Sequence, residues 1–95
     1  MSTKIITVCG SMRFFREMLV YAGTYTLNGY IVLMPFVTGA GGDVKFELDE
    51  LHKRKIDLST SVLVVNIGGY IGESTRSEIA YSLSNGKSVI YVEEA

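Results

Sequence analysis

Four short segments of this chain, residues 4–9, 30–36, 61–67 and 88–92, are β-branched and apolar in unbroken runs rather than in alternation. An unbroken apolar strand is buried on both faces, which is the condition of a parallel sheet covered by helices. Between these runs lie stretches with helical character, at about residues 12–28, 45–58 and 74–85. In the first, Phe14, Phe15, Met18, Leu19 and Ala22 recur at helical spacing and predict its buried stripe. Gly29 and Gly86 follow Asn28 and Asn85 as helix stops. In the second, Leu48, Leu51 and Ile56 are sparser, which predicts a partly exposed helix. The order βαβαβαβ predicts an α/β fold. Right-handed crossovers leave few topologies, and the expected one is a flavodoxin-like (Rossmann-like) three-layer sandwich. Its four-stranded parallel sheet has the order 2-1-3-4, with the switch point between the first and third strands. Pro35 predicts that the second strand ends there or lies at the sheet edge.

The chain's 95 residues suffice for one domain spanning 1–95 with a modest core. A net charge of -1 without a long basic run argues against a nucleic-acid polymer as partner. Lys53-Arg54-Lys55 reads as a solvated helix face. No apolar run approaches the ~18 residues of a membrane span, and the first residues lack a signal-peptide apolar region. A cytoplasmic protein with no membrane partner is expected. The single cysteine, Cys9, ends an apolar strand and reads as a buried, inert thiol. The single histidine, His52, reads as a surface residue. No metal-ligand spacing is present, so no metal is expected.

Three loops carry suggestive chemistry. In Cys9-Gly10-Ser11-Met12-Arg13, a glycine and a serine cap open a helix, an arrangement suited to an anion, with Arg13 as a charged fork. The bland alternative is a simple strand-to-helix turn. The second loop, TGAGGD at 38–43, lacks the Gly-Lys-Ser/Thr of a phosphate-binding loop and suits a surface loop equally well. In the third, NIGGYIGEST at 66–75, Gly68, Gly69 and Gly72 surround Tyr70, which could stack on a base or pack on its own loop. Glu78 follows in the first turn of the third helix, at the carboxyl edge of the sheet. It reads either as a nucleophile for sugar chemistry or as half of a capping box with Thr75. Glycosyl chemistry commonly needs a second acid; Asp57 and Glu73 are the candidates.

The segment SEIAYSLSNGKSVIYV resembles the glutamate-bearing helix and last strand of the nucleoside 2-deoxyribosyltransferases. ITVCGSMR resembles the CGS loop of their relatives, the 2′-deoxynucleoside 5′-phosphate N-hydrolases. LHKRKIDLSTSVLVVNIGGYIGESTRSEIAYS looks closer still to a branch of small bacterial and phage proteins of that superfamily. The resemblance covers nearly the whole chain. It implies a flavodoxin-like homo-oligomer that cleaves or transfers at the N-glycosidic bond of a nucleoside or nucleotide, without a cofactor. Glu78 would attack C1′, and Asp57 or Glu73 would assist the proton. Gly10, Ser11, Arg13 and Ser74 would hold the 5′-phosphate, with Gly69 and Tyr70 completing the substrate site. Thr7 stands where the family carries a catalytic tyrosine, which keeps open a nucleotide-binding module that does not cleave. A homo-oligomer is also expected because so small a sheet covers its faces poorly, with Tyr21 and Tyr25 offering an interface.

Overall fold

The computed structural model describes residues 3–36 and 45–94. The elements run β1 (Ile5–Gly10), a 3-10 turn (Met12–Phe14), α1 (Phe15–Leu27), β2 (Ile31–Leu33), α2 (Lys45–Leu58), β3 (Ser61–Val65), a second turn (Ile67–Gly69), α3 (Glu73–Ser84) and β4 (Ser88–Tyr91). The glycine-rich loop at 38–43 lies outside the described residues.

The four strands form one parallel sheet of order β2-β1-β3-β4, as the apolar runs and element order predict. The fold is therefore α/β and flavodoxin-like. β2 is an edge strand and stops at Leu33, two residues before Pro35. Strand residues alternate between two cores. Ile6, Val8, Leu63 and Val65 meet Met18 of α1 on one face. Cys9, Val62 and Val64 meet Ile56 of α2 on the other, with Ile79 and Tyr81 of α3 beside them. Full burial of each such aliphatic side chain contributes about 1.5–3 kcal/mol.

The buried stripe of α1 departs from expectation at two places. Leu19 is 52% exposed. Tyr21 and Tyr25 instead pack against the core, and Tyr25 meets the Tyr30 ring edge-on at 4.9 Å. Bulky aromatics reach the sheet from the flanks of the helix, so the tyrosines expected at an interface serve partly as core. Val20 and Leu27 are the exposed apolar residues of this helix, together with Leu19.

Gly10 ends β1 where β3 runs closest. It pairs with Val65, and a Cβ at position 10 would lie 2.9 Å from the Val65 carbonyl oxygen. Gly23, in the middle of α1, has nothing within 4 Å of its would-be Cβ. The same substitution should therefore have opposite signs at the two sites. In urea unfolding, Gly23→Ala should stabilise by about 0.5–1 kcal/mol by reducing backbone freedom in the unfolded chain. Gly10→Ala should destabilise by about 1–3 kcal/mol because two strand backbones must separate. A neutral Gly10→Ala would show that the strands are not held at this spacing.

Candidate functional site

The carboxyl end of β1 opens onto a cleft of about 870 Å³ bounded also by the helix that follows β3, beside the switch point of the sheet. Its floor is the Gly10-Ser11 turn; one wall is the first turns of α3, from Gly72 to Glu78, and the other is α2. Pro35, Phe36, Leu48 and Leu51 make an apolar side. Of the residues expected at a site, Gly10, Ser11, Glu73, Ser74 and Glu78 line this cleft together.

Glu78 does not occupy the first turn of α3, which corrects the expectation. The helix begins at Glu73 with Gly72 as its N-cap, so Thr75 is the third helical residue and Glu78 the sixth. A capping box needs the Thr at the cap and the Glu three residues on. That geometry is absent, and the cap makes no side-chain hydrogen bond. Glu78 is instead buried, 7% exposed, one and a half turns into the helix.

His52 is the second correction. It is 5% exposed, because the face of α2 that bears Ile56 also turns His52 against β1. Its Nε2 lies 3.4 Å from Cys9 Sγ and 3.8 Å from Glu78 Oε2. Among the described residues its Nδ1 is buried without a hydrogen-bond partner. Burial, and then the positive charge of Lys55, lower the His52 pKa from 6.5 to about 4; the Val8 carbonyl and Asp49 oppose this more weakly. The ring is neutral at pH 7. Burial pushes the Cys9 thiol up, reinforced by the Glu78 charge and a hydrogen bond to Glu78, so it stays protonated and non-nucleophilic. The three side chains offer a sulfur, a nitrogen and an oxygen donor within 4.8 Å of one another, a set that can hold a metal ion. No local pattern announces it, since the three residues are separated by 43 and 26 positions and come from β1, α2 and α3.

The other expected residues lie elsewhere. Asp57 is outside the cleft lining, held by Arg54 Nε at 2.9 Å and by the Tyr81 hydroxyl, which donates to it at 2.5 Å. Those bonds turn its carboxylate along the α2–α3 seam. Arg13 stacks on the Tyr70 ring, 3.9 Å from the ring centroid, and Phe14 meets the same ring edge-on. Tyr70 thus packs on the first loop, and neither it, Gly69 nor Arg13 lines the cleft. In the CGS turn, Ser11 Oγ accepts from the Arg13 amide at 3.4 Å and its carbonyl accepts from the Phe14 amide at 2.9 Å. The turn thus engages two amides that an anion would otherwise use. Thr7 bonds Ser59 through its hydroxyl at 2.5 Å, away from the cleft residues. Asn66, at the exit of β3, clasps Glu93: its Nδ2 donates to the Glu93 carbonyl and its Oδ1 accepts from the Glu93 amide, both at 3.0 Å. Glu93 Oε1 accepts in turn from the Gly68 amide.

The sequence matches no known protein-family model, and no curated protein matches it significantly. Among the described residues, no helix is long and apolar enough to cross a membrane.

The His52 environment gives a pH dependence. Between pH 6.5 and 4 the unfolded chain binds a proton that the folded chain refuses, so stability falls as pH falls through this window. In EDTA, the wild type should lose about 2 kcal/mol of unfolding free energy between pH 7 and 5 from this group alone. His52→Gln should show a shallower loss over that interval. Equal slopes in the two proteins would mean the ring titrates as if exposed.

Proposed function

We propose that this chain cleaves the N-glycosidic bond of a deoxynucleoside or its 5′-phosphate, or transfers its sugar, with Glu78 as nucleophile. The observation that carries the reading is Glu78 itself: a buried carboxylate on the cleft wall, in no capping role, beside the Gly10-Ser11 turn. A carboxylate in such a site attacks the anomeric carbon as the base departs. A Glu78 oxygen bonds to C1′, and the C1′–N bond breaks with its electron pair going to the base. Glu73, the other expected acid on the cleft wall, protonates that nitrogen. Water then attacks C1′ and releases Glu78, giving its proton to Glu73; a second base in place of water gives transfer. The sugar's base lies against Pro35, Phe36, Leu48 and Leu51. A 5′-phosphate meets Ser11, Ser74 and the start of α3, whose N-terminus has no side-chain cap.

The second reading is a module that binds nucleotides without cleaving them. It is favoured by Thr7, whose hydroxyl is committed to Ser59, so that β1 brings no phenol to the cleft. We further propose a homo-oligomer: among the described residues α1 is the only helix on its face of the sheet, and Ile90 of β4 and Leu27 of α1 are exposed.

Chromatography of reactions with deoxynucleosides and their 5′-monophosphates tests the first reading. Free base should appear, faster from the monophosphates, and Glu78→Gln should suppress it by several orders of magnitude. Undiminished release by Glu78→Gln would remove the catalytic role. Ligand-induced thermal stabilisation without any base release would establish the binding module instead.

Sedimentation should show a species larger than the 10.5 kDa chain at micromolar concentration. A monomer there would refute the assembly.

A further inference from the structure

We propose that Cys9, His52 and Glu78 form a binding site for a single thiophilic divalent cation, best matched by zinc, with its open coordination position facing the cleft. This goes beyond the glycosidic reading and does not depend on it.

The geometry is the first support. In tetrahedral zinc sites, bond lengths of about 2.3 Å to sulfur and 2.0–2.1 Å to nitrogen or oxygen put neighbouring donors roughly 3.3–3.6 Å apart. Cys9 Sγ and His52 Nε2 stand 3.4 Å apart, His52 Nε2 and Glu78 Oε2 3.8 Å, and all three donors lie within 4.8 Å. Small side-chain rotations close the set around an ion. The second support is rigidity. Each donor comes from a different element of the core, β1, α2 and α3, and all three residues are buried. Little ordering remains to be done on binding.

The third support is the donor chemistry. A sulfur, an imidazole nitrogen and one carboxylate oxygen suit zinc or cobalt and are poor for magnesium or calcium, which take oxygen ligands. Ligation through Nε2 puts the ring proton on Nδ1. The Cys9 thiol must ionise: the sulfur–metal bond forms as the S–H bond breaks, and the proton leaves to solvent through the cleft. His52 and Glu78 line that cleft, which supplies the entry path and the fourth ligand, a water molecule.

Occupancy has a consequence for the site. An ion that claims a Glu78 oxygen occupies the group proposed to attack C1′. Metal and glycosidic substrate therefore compete for one carboxylate.

The test is a titration of chelator-stripped protein with Co²⁺, followed by absorption. Cys9 is the chain's only cysteine, so a sulfur-to-cobalt charge-transfer band in the near ultraviolet reports on one side chain. The band should saturate at one equivalent and disappear when Zn²⁺ is added. Cys9→Ser should abolish it, and His52→Gln and Glu78→Gln should each weaken Co²⁺ binding at least tenfold, with circular dichroism verifying that each variant is folded. Zn²⁺ should raise the wild-type melting temperature. Absence of a saturable band in the folded wild type, or its survival in Cys9→Ser, would overturn the proposal. Base release, if found, should fall with Zn²⁺ and return with EDTA. The cobalt band stands or falls whatever the outcome of the base-release assay.

Discussion

The close pairing of β1 with β3 is the constraint from which the cleft follows. Consecutive strands in sequence would place β2 between them, but the chain doubles back and puts β2 outside β1. The two central strands therefore end side by side, with Gly10 against Val65. Because Gly10 has no side chain, the strands hold their register to the end of β1, and the turns that follow diverge from a common edge. α1 leaves toward one face of the sheet, while α2 and α3 pack on the other. The cleft is the space that this divergence opens, and every group assigned to it is aimed by the elements on either side.

At the base of that space the protein accepts an electrostatic cost. A carboxylate, an imidazole and a thiol are nearly removed from water. Burial penalises a charged form of any of them. The histidine responds by staying neutral and the thiol by keeping its proton, so the neighbours of Glu78 compete with it for negative charge as little as possible. The same arrangement suits a carboxylate that attacks a carbon and one that grips an ion. Buried polar groups tend to persist where function uses them. Asp57 shows the contrast: exposed and bonded to Arg54 and Tyr81, it serves the seam between two helices.

The sheet was legible in the sequence because continuous apolar runs have one economical use, and the helix-stop glycines marked where each run began: Gly29 and Gly86 both adopt positive φ, at 88° and 71°. The cleft membership of Gly10, Ser11, Glu73, Ser74 and Glu78 was also legible, since strand-to-helix turns at a switch point must face one another. The position of Glu78 within its helix was not. Thr75 and Glu78 have the spacing of a capping box, but Gly72 starts the helix three residues earlier, and a glycine cap carries no side-chain signal. His52 was misplaced because α2 is a mixed helix whose inward face is short: only the distant Cys9 and Glu78 reveal which way that residue turns. Arg13 looked like a phosphate fork in sequence, yet the Tyr70 ring, 57 residues away, is its nearer partner.

Asn66 carries a consequence of another kind. Its amide group offers a donor and an acceptor in the same arrangement as a backbone peptide, so with Glu93 it adds one more rung to the β3–β4 ladder after β3 has ended. The loop that leads into α3 is thereby stitched at its root to the far edge of the sheet, and the Gly68 amide is tied to the same glutamate. Fraying of the edge strand and loosening of the loop then become a single cooperative opening, whose free energy is shared by amides on both sides. The clasp thus couples the end of the edge strand to the loop that precedes α3.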